Sequence, residues 1–392
     1  MTRALPDKRN SVLNGICPYF TMFPLEFPYR VLRQHAGSGA KVLDPFCGRG
    51  TTLYAARMLG MPAYGIDSNP VAVAISRAKL ANTTPKAIVA AAQRILDESS
   101  RVMCPDGEFW HLAYSNDVLD SLCRLRSALL DDASSAARQA LVGIILGALH
   151  GPMPKSAPSY FSNQCTRTFA PKPAYAVRFW TERRLMPPKV DVLELIKRRA
   201  ERFYSAGGTA AVGGVTCGDS RQSSSFRAAS KAECNWIITS PPYYGMRTYL
   251  PDQWLRLWFL GGPSHVDYTN NGQVNHRSPA SFAEELRKVW QNSAEASGDG
   301  CRLVVRFGAI NDRKIDPVAL IKSSLVETPW RIITVKPAGD ASTGRRQALH
   351  FARKTTPALR EYDVWAFLQA KEMRGADDIP TAPPTGNDHK RG

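Results

Sequence analysis

An apolar run, Lys41-Val42-Leu43, ends in Asp44-Pro45-Phe46-Cys47-Gly48-Arg49-Gly50 and passes at once into a helical pattern through Thr52, Leu53, Ala55, Ala56 and Leu59. Gly60 closes that helix. Ala63-Tyr64-Gly65-Ile66 reads as a second strand ending in Asp67, and Val71 to Leu80 is helical again. Strand, glycine-rich turn, helix, strand, acid, helix is a unit of a parallel α/β sheet. Glycines after a parallel strand let the backbone turn tightly and approach a ligand, and the helix N-terminus behind them offers free N–H groups. An acid roughly 20 residues further on can hold ribose hydroxyls, which is where Asp67 stands. The pattern suits a nucleotide-like cofactor; alone, it also suits a structural turn without ligand. The dinucleotide fingerprint G-x-G-x-x-G is missing, because Gly48-x-Gly50 continues into Thr51, Thr52 and Leu53, which disfavours a nicotinamide-dependent oxidoreductase.

The α/β rhythm stops after residue 81 and resumes near 213. Val215-Thr216-Cys217-Gly218-Asp219 reads as a strand end. Trp236-Ile237-Ile238-Thr239 is a strand that runs into Ser240-Pro241-Pro242-Tyr243, and Leu303–Phe307, Arg331–Val335 and Val364–Leu368 are further strand candidates. Between 82 and about 150 the pattern is helical (Ile88–Leu96, Val118–Leu130, Ala136–Leu149). The apolar run Ala140–His150 is too short to span a bilayer and reads as a buried helix. From Gly151 to Pro188 the texture turns to Pro, Ser, aromatic and basic residues. Between 151 and 202 eleven Lys and Arg face four acids, with Tyr160, Phe161, Phe169, Tyr175, Phe179 and Trp180 among them. Such a stretch can neutralise phosphates and stack on bases, and Asn163 and Gln164 are residue types that read base edges. Lys197-Arg198-Arg199 lies on a helix and reads as a solvated face.

Thr239-Ser240-Pro241-Pro242-Tyr243 is the second constellation. Consecutive prolines after a strand make a stiff, extended turn without backbone donors. Its carbonyls and the Ser240 hydroxyl can accept from an outside amino group, and Tyr243 offers a flat face to a base. An amino group on an aromatic ring is a poor nucleophile, because its lone pair is delocalised. Acceptors on both its protons favour the pyramidal, reactive form and orient it. The turn also suits plain packing of an aromatic against the core.

Together the two motifs resemble those of the DNA amino-methyltransferases of the N4-cytosine and N6-adenine type. The likeness covers roughly 15–80 and 213–370. It implies a Rossmann-like class I methyltransferase fold, a seven-stranded, mostly parallel sheet, with an inserted helical and irregular target-recognition subdomain. Residues 1–81 and 213–374 would form the methyltransferase domain, 82–212 the insert and 375–392 a disordered tail. The resemblance implies S-adenosylmethionine as cofactor, with Asp44, Phe46, Gly48, Gly50 and Thr51 lining its methionine part, Asp67 on the ribose and Asp219 near the adenine. It also draws Phe20, Pro45, Thr52, Ser68, Asn69 and Ser220 into the cofactor site. Ser240, Pro241, Pro242 and Tyr243 would hold and stack the target base. A serine opening this motif leans toward cytosine N4. Arg49 departs from the pattern, standing where a small serine is usual, so a charge would face cofactor or substrate.

The net charge of +17 favours a polyanionic partner, and the resemblance makes it double-stranded DNA. Arg167, Lys172, Arg178, Arg183 and Arg184 in the insert, Arg247 behind the catalytic turn, and Arg345 and Arg346 near the C-terminal strands are the DNA-contact candidates. Trp254, Leu255, Leu257, Trp258 and Leu260 read as a buried helical face. A Pro-Cys pair, needed for C5-cytosine chemistry, is absent, and Cys47 reads as packing. The eight cysteines show no C-x-x-C spacing, so free thiols and no metal site are expected. The polar N-terminus carries no secretory h-region, which fits a cytoplasmic enzyme of bacterial or phage type; a restriction endonuclease would be a separate chain. An adenine-N6 enzyme, an RNA guanine-N2 methyltransferase and a catalytically silent DNA-binding subunit are the alternatives.

Overall fold

The computed structural model describes residues 11–19, 23–100, 102–153, 156–207, 212–245, 250–268, 277–308, 315–340 and 360–370. Seven strands, all anticipated from the sequence, form one sheet: β1 (Val42–Asp44), β2 (Ala63–Asp67), β3 (Gly213–Cys217), β4 (Cys234–Thr239), β5 (Ser297–Gly308), β6 (Trp330–Asp340) and β7 (Arg360–Leu368). Their order is β3-β2-β1-β4-β5-β7-β6. β7 runs antiparallel to both β5 and β6, while the remaining pairs are parallel. The sheet is therefore the class I methyltransferase type that the resemblance implies.

The helices among the described residues are, in order, α1 (Glu26–His35), α2 (Thr51–Met58), α3 (Pro70–Leu80), α4 (Pro85–Glu98), α5 (Glu108–Ala113), α6 (Asn116–Asp131), α7 (Ala136–Ala148), α8 (Pro173–Glu182), α9 (Val192–Tyr204), α10 (Arg227–Ala232), α11 (Trp254–Phe259), α12 (Pro279–Glu295) and α13 (Pro317–Leu325). None is long and apolar enough to cross a membrane. α8 lies in a stretch whose composition reads as irregular. Pro173 starts it at N1, where a missing N–H costs nothing and the fixed φ already suits a helix.

Strand side chains alternate between two cores. Val42, Trp236, Ile238 and Val304 belong to one apolar cluster, and Leu43, Ile237, Leu303 and Val305 to the other. The second core is closed by α10, α12 and α13. The first is larger, and it joins α1–α3 to helices of the inserted segment: Ile88 of α4, Leu122 of α6, Ile145 of α7 and Ile196 of α9 all lie in it. Every residue of α7 from Ala140 to Ala148 is buried, as the apolar run predicts. The insert thus shares its hydrophobic core with the sheet. α11 brings Trp254 and Trp258 onto Trp110 (ring centroids 5.7 and 4.6 Å), as its apolar spacing implies.

Four insert residues behave otherwise than their types suggest. Asn163 is buried: its Nδ2 donates to the carbonyls of Leu112 and Leu185, and its Oδ1 accepts from the Gln164 N–H, so no edge is left for a base. Phe161 and Trp180 lie in the core, the indole donating to the Gln164 carbonyl. Arg199 turns inward to the Gly147 carbonyl and the Tyr160 ring. A buried carbonyl needs a donor, and the long arginine reaches one that a short side chain would miss.

Candidate active site

β1 lies between β2 and β4, so the strand order reverses beside it. In open α/β sheets that reversal opens a crevice at the carboxyl ends of the strands. The parallel register Val42↔Trp236 and Leu43↔Ile237 brings the two sequence motifs out side by side. They touch directly: Thr239 Oγ1 donates to Asp44 Oδ1 at 2.6 Å.

The glycine-rich turn is held in a ligand-binding shape. Gly48 (φ 49°) and Gly50 (φ 71°) occupy the left-handed region that glycine enters without strain. A Cβ on Gly50 would lie 2.6 Å from Ser76 Oγ, so α3 packs against the turn too closely for a side chain. Asp44 is fully buried. Its Oδ1 also accepts from the Phe46 N–H, but Oδ2 has no partner. Burial pushes its carboxyl up to about 6, against the opposing pull of hydrogen bonds from Thr239, Thr52 and the Phe46 N–H. A buried acceptor left open at a strand end fits a cationic or donor group of a ligand.

Asp67 accepts from the Gly48 N–H (2.8 Å) and the Asn69 N–H (2.8 Å), joining the ends of β1 and β2. Burial raises its pKa as well. Asn69 caps α3 through the Val71 N–H and donates to the Tyr19 hydroxyl. Ser68 is exposed beside it. Ser220 reaches back to the Pro45 carbonyl, fastening β3 to the turn. Asp219 is gripped by Arg221, which also binds Glu285. Burial raises the Asp219 carboxyl, and its bonds to Arg221 more than offset that, leaving it below its ordinary value. Phe46 lies edge-on to Trp290. Of the cofactor candidates, Thr52 lies against the Asp44 carboxyl and donates to the Ile238 carbonyl of β4, and Thr51 is buried in the first turn of α2.

Arg49 does not face this crevice. Its guanidinium donates to the carbonyls of Asn14 and Cys17 and is 5% exposed, which corrects the expectation of a charge toward the ligand. Burial holds its pKa down at about 10. Lys79 donates to the Asn14 side chain beside it (2.8 Å). The two side chains staple the N-terminal segment to the turn. Cys47 packs in the core, its thiol pushed well up by burial.

In the second turn Pro241 and Tyr243 are buried while Ser240 and Pro242 are partly exposed. Tyr243 is edge-on to Phe307 (5.2 Å), and its hydroxyl donates to Glu361 Oε1 at 2.5 Å. Glu361 and Tyr19 carry no motif in the sequence; only their partners single them out.

Among the charged candidates, Arg167, Arg178, Arg183 and Arg184 are exposed. Lys172 is paired with Asp252 (3.1 Å). Phe20, Arg247, Arg345 and Arg346 lie outside the described residues.

Residues 2–78, which hold the glycine-rich turn and Asp67, match the family model of the N6/N4 methyltransferases, described as DNA methylase. The same segment is similar to the Type II methyltransferase M.MjaII of Methanocaldococcus jannaschii, at 34% identity over 73 residues, 19% of this chain and 14% of that protein. The chain thus matches about one seventh of that relative's length. Among solved structures, the rRNA methyltransferase aviRa of Streptomyces viridochromogenes aligns over 93% of this chain and 95% of its own at 13% identity (TM-score 0.37). A SAM-dependent methyltransferase of Methanosarcina mazei aligns over 89% and 99% at 10% identity (TM-score 0.33).

Proposed function

We propose that this chain transfers the methyl group of S-adenosylmethionine to an exocyclic amino group of a base in double-stranded DNA, cytosine N4 by preference. The observation that carries the reading is the direct bond between the two turns, Thr239 to Asp44. It puts a cofactor-type turn and an amino-group-holding turn on one crevice.

S-adenosylmethionine supplies an electrophilic methyl on a sulfonium centre. Asp44, with its open Oδ2, would receive the methionine amino group; Gly48 and Gly50 would admit the chain of the cofactor, with Phe46 beside it. Asp67 retains acceptor capacity for ribose hydroxyls beyond its two backbone donors. Asp219 would lie toward the adenine, its plane fixed by Arg221. On the substrate side, Ser240 and the Pro241 carbonyl would accept the two amino protons, and Tyr243 would bound the base. The new C–N bond forms as the C–S bond breaks, and the extra proton then leaves the nitrogen. That proton is acidic only after methylation, so loss to solvent suffices. A base in a duplex reaches such a crevice only by leaving the stack. Exposed Arg167, Arg178, Arg183 and Arg184 would hold the phosphates around it.

Nucleoside mass spectrometry of DNA and RNA from a methylation-free host tests this, with Pro241→Ala and Tyr243→Ala as controls. N4-methylcytosine in DNA, lost in both controls, is the expected result. N6-methyladenine would overturn the base preference, and methyl groups confined to RNA would overturn DNA as the substrate. No methylation together with no cofactor binding by calorimetry would leave a silent nucleic-acid-binding protein.

A further inference from the structure

We infer that the outer face of α8 is a stacking platform for an opened base step in DNA; this rests on the methyltransferase reading above. Tyr175, Phe179 and Arg183 recur every four residues, so they form one stripe along the helix. The structure makes the stripe a continuous stack. The Tyr175 and Phe179 rings lie 6.2 Å apart and 22° from parallel, and the Arg183 guanidinium sits 4.0 Å over Phe179. The other face of α8 is spent on the core: Ala176 and Trp180 are buried, the indole 5.6 Å from Phe109. Tyr175 is left 59% exposed at the end of the stack, and Met186, just beyond the helix, is 73% exposed. The surroundings are cationic, with Arg178, Arg183 and Arg184 exposed and Glu182 the opposing acid on the helix.

The platform is tied to the segment 250–254. Immediately before α8, Ala170 N–H donates to the Asp252 carbonyl (2.7 Å), Lys172 pairs with the Asp252 carboxylate, and Trp254 Nε1 donates to the Pro171 carbonyl (3.0 Å). Asp252 sits in the one-turn helix Leu250–Gln253, the first described element after Gly245. A stack of π-faces ended by an exposed ring recruits another π-face. In an intact duplex every base face is already covered by its neighbours. Removing one base uncovers two faces, and it is this opened step, amid phosphates that the arginines attract, that the Tyr175 ring matches.

The test is fluorescence anisotropy with the full chain and two mixed-sequence 20-base-pair duplexes, one fully paired and one with a central abasic site. The wild type should bind the abasic duplex more tightly. Tyr175→Ala should erase that preference, weakening abasic binding by about 5- to 100-fold while changing paired binding less than twofold. Phe179→Leu, which keeps the core side of α8 intact, should lose part of it. Arg178→Ala should instead weaken both duplexes alike. A preference that survives Tyr175→Ala overturns the inference, as does a wild-type dimer in light scattering that Tyr175→Ala dissolves. Calorimetry with S-adenosylmethionine separates the two readings. Cofactor binding without abasic preference sinks the platform alone, whereas abasic preference without cofactor binding sinks the methyltransferase reading and leaves the platform standing.

Discussion

The Tyr243 hydroxyl donates a 2.5 Å hydrogen bond to Oε1 of Glu361, two residues 118 positions apart, on the turn after β4 and on the antiparallel strand β7. The bond fixes the plane of the ring that closes the Ser240-Pro241-Pro242-Tyr243 turn. Buried hydrogen bonds to a charged acceptor contribute about 1.5–3 kcal/mol. Tyr243→Phe and Glu361→Gln should each destabilise the protein, and the double variant should cost less than the two together, by about 1 kcal/mol or more. Urea denaturation of the four proteins checks this. Simple additivity would mean that the two side chains act independently.

Asp44 sets a pH dependence whose sign can be worked out. Its folded pKa, about 6, lies above the ordinary carboxylate value of 3.8. Its contribution to stability is therefore fully present below pH 3.8 and is lost as pH rises through about 6. Cofactor binding should run the other way, because a bound cation favours the carboxylate. S-adenosylmethionine affinity should rise as pH increases through about 6 and level off above, with about half a proton released on binding at that pH and close to one well below it. Calorimetry in buffers of different ionisation enthalpy reads the proton directly. Asp44→Asn should flatten the profile; an unchanged profile would remove Asp44 from the cofactor site.

Arg49→Ser installs the residue usual in the resembling family, yet it should harm this chain. The carbonyls of Asn14 and Cys17 would lose their buried donor. Leaving such groups unsatisfied costs about 1–3 kcal/mol each, so a loss of about 2–6 kcal/mol for the two is expected in chemical denaturation. Wild-type stability in Arg49→Ser would show that the N-terminal segment is held by other contacts.

Insert and sheet should unfold together. The buried cluster around Trp180, Phe109, Trp110 and Trp254 joins residues of the inserted segment to α11. Trp180→Ala should destabilise by about 3–5 kcal/mol and lower a single thermal transition seen equally by tryptophan fluorescence and far-UV dichroism. Two separated transitions would instead mark the insert as an independent folding unit.

Seven strands, helices α2, α3, α4, α6, α7, α9 and α11 and both turns were legible in the sequence because each depends on neighbours a few residues away, whereas α1, α5, α10, α12 and α13 were not read from it. Apolar runs ending in Asp44 or Thr239, glycines at positive φ and prolines after a strand declare themselves locally. The irregular reading of 173–182 missed α8, because composition outweighed the one local signal, a proline at the first helical position. What the chain does with its polar side chains was decided by packing. Arg49 and Arg199 turned inward to orphaned carbonyls, Asn163 bridged α5 and the loop after α8 instead of facing outward, and Glu361 met Tyr243. Sequence alone determined which segments could build a cofactor crevice and a base-holding turn. Only the tertiary structure decided that β1 and β4 lie side by side, so that Thr239 reaches Asp44, because strand adjacency and the pairing of buried polar groups depend on contacts between residues far apart in the chain.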